Sequence, residues 1–217
     1  MDRPRYIAVE GPIGVGKTTL ARILAERTGG RLVLEAVEEN PFLPAFYEDA
    51  RKHAFQTQLF FLLSRFQQQQ ELLQQDLFTR STVLDYLFAK DRIFAALTLD
   101  PDELALYDRL YRVLGPRVVK PDLVVYLRAE VGVLLGRIRR RGRPFERDID
   151  PAYLEALAAA YGDHFFHHDE TPLLVVDTSD LDLVDSPEDV DALLAVIRRH
   201  RKGTQHYVPA GSRPGRR

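Results

Sequence analysis

Residues 11–18, Gly11-Pro12-Ile13-Gly14-Val15-Gly16-Lys17-Thr18, match the spacing G-x-x-x-x-G-K-[ST] at every fixed position. Glycines at these places let the backbone curl until several N–H groups point at one anion, and a helix that starts there adds its positive end. Gly11, Gly14, Val15, Gly16, Lys17, Thr18 and Thr19 are the expected contacts to a nucleoside triphosphate. Lys17 reaches toward the β- and γ-phosphates, and the Thr18 hydroxyl is a ligand for Mg²⁺. An ordinary strand-to-helix turn needs one glycine and has no use for a Lys-Thr pair.

Two acids and an arginine run complete the chemistry. Glu35, with Glu38 and Glu39 close behind, stands where a carboxylate can take the proton of a hydroxyl that attacks the γ-phosphate. Asp85 closes the apolar run Thr82-Val83-Leu84, the place of a metal-holding acid in phosphate-loop enzymes; helix N-cap is its competing role. Arg137-Ile138-Arg139-Arg140-Arg141-Gly142-Arg143 puts five arginines in seven residues around a glycine. Interaction with a helix C-terminus accounts for two or three of them. A mobile lid that closes guanidinium groups over transferring phosphates accounts for all.

These groups need a frame that brings them to one edge. Short aliphatic runs at about 5–10, 31–35, 82–86, 122–127 and 172–177 read as strands buried on both faces. Helical patterns alternate with them at about 17–28, 41–50, 52–76, 87–99, 102–115, 130–141, 151–167 and 187–201. The alternation predicts an α/β phosphate-loop NTPase fold, with a five-stranded parallel sheet covered by helices on both faces. Glu35, Asp85 and the phosphate loop then share the carboxyl ends of the strands, where ligands bind in such sheets. In the long pattern at 52–76, Phe55, Leu59, Leu62, Leu63, Phe66 and Leu73 are expected to form the apolar face. The run Gln67-Gln68-Gln69-Gln70 is expected on a solvated or partner-facing surface.

The chain has 217 residues, which fits one domain, expected over 1–201 with a flexible Gly-, Pro- and Arg-rich tail at 202–217. A net charge of −2 gives no case for a nucleic-acid polymer or a membrane as partner. With no cysteine, disulfides, thiolate metal sites and cysteine nucleophiles are excluded. The start lacks a signal-peptide pattern and no apolar run is long enough for a bilayer, so a cytoplasmic enzyme is expected. His164, His167 and His168 read as a surface or interface helix rather than a metal pair.

The ordered motifs over about 5–170 resemble the deoxynucleoside kinase family, which transfers the γ-phosphate of ATP to the 5′-hydroxyl of a deoxynucleoside. Glu35-Ala36-Val37 is similar to that family's Glu-Pro-Val, and the resemblance makes Glu35 the general base. Tyr47 and Gln58 resemble its tyrosine and glutamine elements, which bind the sugar 3′-hydroxyl and the base; Phe94 stands near a base-stacking Phe. Arg137 to Glu146 resembles the lid Arg-Gly-Arg-x-x-Glu. The resemblance implies Arg137, Arg141 and Arg143 at the phosphates, with Arg141 and Arg143 catalytic, and Glu146 at the 3′-hydroxyl. Asn40-Pro41, in place of a stacking Trp, resembles the bacterial purine-preferring branch. Asp85-Tyr86-Leu87 departs from the family's Asp/Glu-Arg-Ser; Arg92, on the following helix, is the nearest candidate in sequence for the missing guanidinium. The resemblance also implies a homodimer, with ATP, Mg²⁺ and a small deoxynucleoside as ligands. A nucleoside monophosphate kinase of the thymidylate kinase type is the alternative, though Tyr86 stands where it needs an arginine. A phosphate-loop switch or scaffold is the alternative of a different class, but no Asn-Lys-x-Asp guanine-reading element occurs.

Overall fold

A computed structural model describes residues 6–75 and 81–209. The strands are β1 (Tyr6–Glu10), β2 (Arg31–Val33), β3 (Thr82–Leu84), β4 (Leu123–Arg128), β5 (Leu173–Asp177) and β6 (Thr204–Tyr207). They form one parallel sheet in the order β2-β3-β1-β4-β5-β6. The helices are α1 (Lys17–Thr28), α2 (Leu43–Glu48), α3 (Ala50–Gln75), α4 (Lys90–Thr98), α5 (Pro101–Leu114), α6 (Val131–Arg141), α7 (Pro151–Phe166) and α8 (Pro187–Arg199).

The aliphatic runs make the sheet the centre of the core. Ile7, Ala8 and Val9 pair with Val83 and Leu84 on one side and with Val124 and Val125 on the other, all buried. Leu20 and Leu24 of α1, Leu134 and Ile138 of α6, and Leu154 and Leu157 of α7 cover it. Because every strand runs the same way, Glu10, Asp85 and the loop after β2 emerge at one edge.

Six strands form where five were expected. The extra one, β6, comes from the start of the stretch expected as a flexible tail; residues 210–217 lie outside the described residues. Thr204-Gln205-His206-Tyr207 carries no aliphatic signal, since as an edge strand it is mostly exposed and held by backbone pairing with Leu173–Val176. His200 helps to turn the chain back, with Nδ1 against Gln205 at 3.1 Å and Nε2 against the Gly203 carbonyl at 3.1 Å.

The face assigned to the long helix is also corrected. Leu63 is half exposed, and Leu73 lies beyond the described side chains. The buried stripe of α3 is Ala54, Thr57, Gln58, Leu62, Arg65, Gln69 and Leu72, spaced by three or four residues but largely polar. The glutamine run is not uniformly solvated. Gln69 is buried and bonded to the Tyr6 hydroxyl at 3.0 Å, while Gln68 donates to the Leu34 carbonyl at 3.3 Å. Among the described residues no helix is long and apolar enough to cross a membrane.

Candidate active site

The loop between β1 and α1 closes tightly over the sheet. A Cβ on Gly11, at φ 151°, would lie 2.2 Å from the Leu127 carbonyl oxygen, and one on Gly14, at φ 83°, would lie 2.8 Å from that of Leu134. Both positions therefore require glycine. No side chain caps α1, so its first amides stay open to an anion. Lys17 folds into its own loop, donating to the Gly11 carbonyl at 2.6 Å and the Pro12 carbonyl at 3.0 Å. Burial, and next the charge of Lys90, lower its pKa to about 8. Such a cation is ready to exchange two carbonyls for a phosphate.

Two buried acids tie this loop to its neighbours. Glu10 accepts from Gly11 N–H at 2.8 Å and the Tyr161 hydroxyl at 3.0 Å through one oxygen, and from Leu87 N–H at 2.6 Å through the other. Asp85 accepts from the Thr18 hydroxyl at 2.6 Å and from Glu35 N–H at 2.7 Å. It thus joins the phosphate loop to Glu35 and does not serve as a helix cap; α4 begins only at Lys90.

Glu35 sits two residues beyond β2, its side chain nearly enclosed. One carboxylate oxygen pairs with Arg65 of α3, and the other accepts from Lys90 Nζ at 2.7 Å. Arg65 also pairs with Asp91, which is fully buried. Burial would raise the pKa of Glu35, but Arg65 and Lys90 override it and hold the carboxyl well below the usual carboxylate range. Arg92 takes no part. It points outward to Asp108, with N–O distances of 3.0 and 3.2 Å. Tyr86 is fully buried beside Leu72 and Leu84.

Other sequence candidates line the same cavity as Glu35. Gln58 is buried, with its amide 3.3 Å from the Thr98 hydroxyl, and Phe94 lies edge-on to Tyr161. Tyr47 packs on Phe145 with ring centroids 5.7 Å apart. Burial, and next Glu146, raise the Tyr47 pKa far above its usual value, so the phenol stays protonated. Glu146 is buried and paired with Arg141, and Arg143 lies 3.6 Å from both Glu146 and Glu38. Arg137 is used differently from its neighbours. It donates to the carbonyls of Val15 at 3.1 Å, Thr178 at 2.7 Å and Leu181 at 3.3 Å, bracing the phosphate loop against the segment after β5. Asn40 stays outside the cavity, spanning the Thr57 carbonyl at 3.2 Å and Phe42 N–H at 3.0 Å.

Lys17, Thr18, Glu35, Tyr47, Gln58, Arg65, Asp85, Lys90, Phe94, Arg137, Arg141, Arg143 and Glu146 line one cavity of about 1300 Å³, larger than the roughly 300–1,000 Å³ usual for one small ligand, while Gly11, Asn40 and Arg92 do not line it. The acidic segment 179–189 forms its wall beside the phosphate loop. Sequence reading missed Arg65, Lys90 and Asp91. The spacing held a signal for one of them: Arg65 follows Gln58 by seven residues, two helical turns, and so shares its face. His164 and His168 have ring centroids 6.4 Å apart, and among the described residues no group of three or more metal-binding side chains forms.

The family model described as deoxynucleoside kinase matches residues 7–201. A deoxyguanosine kinase of Bacillus subtilis (strain 168) is 41% identical over 162 residues, 74% of this chain and 78% of that protein. The deoxyadenosine/deoxycytidine kinase of the same organism is 31% identical over 208 residues, 90% of this chain and 94% of its own. The solved structure of deoxyadenosine kinase from M. mycoides with bound dCTP matches with a TM-score of 0.77 at 26% identity, covering 88% of this chain and 98% of that one.

Proposed function

The chain belongs to the deoxynucleoside kinase family, and from that premise we propose that it transfers the ATP γ-phosphate to the 5′-hydroxyl of a purine deoxynucleoside. The observation that carries this reading is the position of Glu35. It lines the same cavity as the phosphate loop, Gln58, Tyr47 and Glu146, and its backbone N–H is bonded to Asp85, which holds Thr18 of the phosphate loop. In this reading Gln58 presents an amide donor and acceptor to the base, and Phe94 packs against it. Tyr47 and Glu146 hold the 3′-hydroxyl, and Glu35 takes the 5′-hydroxyl proton. The 5′-oxygen attacks the γ-phosphorus, and the bridging oxygen leaves with ADP.

Mg²⁺ belongs to the same reading. The Thr18 hydroxyl and an Asp85 oxygen, 2.6 Å apart beside the phosphate loop, are the hard oxygen donors that Mg²⁺ takes alongside phosphates and waters. When bound, the ion neutralises charge on the phosphate oxygens. A homodimer is supported by half-exposed Leu63, Leu97, Leu106 and Val113 on the neighbouring helices α3, α4 and α5. A cytoplasmic location fits ATP as donor.

The acceptor's charge separates this reading from a monophosphate kinase. Arg65 and Lys90 are matched by Glu35 and Asp91, so that wall offers no net positive charge to an acceptor phosphate. The purine preference rests on Gln58 and on the deoxyguanosine and deoxyadenosine kinases among the relatives. With ATP and Mg²⁺ in competition assays, deoxyguanosine or deoxyadenosine should be phosphorylated ahead of deoxycytidine and thymidine. The 5′-monophosphates should be left unused. Turnover of a monophosphate alone would overturn the assignment, and a pyrimidine preference only its specificity.

The lid arginines spend their charge on Glu146 and Glu38 in the resting protein, so they reach phosphate only by moving. Arg141→Ala and Arg143→Ala should therefore lower kcat, by roughly ten- to a thousandfold, more than they raise the KM for ATP. Small, equal effects on both constants would return them to solvent.

A further inference from the structure

We propose that Lys90 is a mobile cation of the transfer step: it holds Glu35 in the free protein and moves onto the phosphoryl group as that group passes from donor to acceptor. The proposal rests on the phosphotransferase reading above.

Arg65, Lys90, Glu35 and Asp91 form one ion-pair cluster, in which Lys90 is held less tightly than Arg65. Arg65 is pinned, since its guanidinium joins Glu35 to Asp91 across α3, the β2 loop and α4. Lys90 makes a single such bond, to Glu35 at 2.7 Å, on a flexible four-carbon stem with two further donors on its ammonium. Its positive charge repels that of Lys17, the other lysine among the residues lining the cavity. Two ammonium groups that repel each other from walls of one cleft are arranged for an anion between them.

The base supplies the second argument. With Arg65 on one oxygen and Lys90 on the other, Glu35 is poorly disposed to accept a proton. When the γ-phosphate draws Lys90 away, one oxygen is freed to face the 5′-hydroxyl. The 5′-oxygen bonds to the γ-phosphorus and the bond to the bridging oxygen breaks. The hydroxyl proton goes to Glu35, and the bridging oxygen keeps the electron pair in ADP. Charge stabilisation and release of the base thus become one event.

A purely structural lysine would act only through Glu35, and a double-mutant comparison separates the two roles. Nucleoside-dependent ADP release is measured for wild type, Lys90→Met, Lys90→Arg, Glu35→Gln and the double variant Lys90→Met/Glu35→Gln. The double variant keeps Arg65 opposite Asp91 in balanced charge, so it guards against a Lys90→Met protein that fails to fold. Lys90→Met should lose about a hundredfold in kcat with the nucleoside KM within about threefold, and Lys90→Arg should recover to within about tenfold of wild type. The double variant should be at least about tenfold slower than Glu35→Gln. Equal rates for Glu35→Gln and the double variant, or a Lys90→Met kcat near wild type, would overturn the proposal. A wild-type protein that releases no ADP with any deoxynucleoside would overturn the phosphotransferase reading beneath it.

Discussion

Lys17→Ala should lose roughly a hundred- to a thousandfold in turnover while melting at or above the wild-type temperature. The two halves have one cause. The ammonium is buried against the Gly11 and Pro12 carbonyls with its pKa lowered to about 8, so in the free protein it is a desolvated cation with no carboxylate at bonding distance among the described residues. Removing it relieves a cost in the resting state and takes away the charge that the β- and γ-phosphates meet. The Pro12 carbonyl keeps its bond from Val15 N–H at 3.3 Å. Steady-state ADP release and a thermal melt on the same preparation check both halves. A folded Lys17→Ala protein with near-native turnover would remove the phosphate loop from the chemistry.

Glu35→Gln should lower kcat by roughly a hundredfold or more, because an amide keeps the shape of the carboxyl and takes no proton. Here the stability change has the opposite sign. Arg65 and Lys90 both donate to this side chain, and a glutamine amide can accept from one of them while turning its own donors on the other. A lower melting temperature is expected, with the nucleoside dissociation constant changed far less than kcat. An unaltered kcat would assign proton removal to another group.

Much of the site was legible in the sequence because parallel strands deliver their last residues to one edge. Glu35 and Asp85 were found by that rule, and they are bridged in the structure through the Glu35 amide. Lys17 and Thr18 were found by glycine spacing. What escaped shares a physical reason. The inner face of α3 lines a polar cavity, so its buried stripe carries Gln58, Arg65 and Gln69, and a search for apolar periodicity slid toward Leu63. Lys90 and Asp91 open α4, where a charged residue reads as an ordinary first turn. Arg92, chosen for its nearness in sequence to Tyr86, projects from the far side of that helix. Arg137 stood in the right motif, yet backbone carbonyls of the phosphate loop and the segment after β5 claim its guanidinium.

The sixth strand bears on how the protein keeps to itself in a crowded cell. Leu173–Val176 of β5 is four aliphatic residues long and fully polar only in its backbone, the kind of segment that recruits a like strand when its edge is bare. Thr204–Tyr207 occupies that edge and turns a polar, mostly exposed ribbon outward. A sheet ending at β5 would still place the phosphate loop and Glu35. It would also offer the next chain a template for aggregation, so these four inconspicuous residues guard solubility while the chemistry proceeds elsewhere.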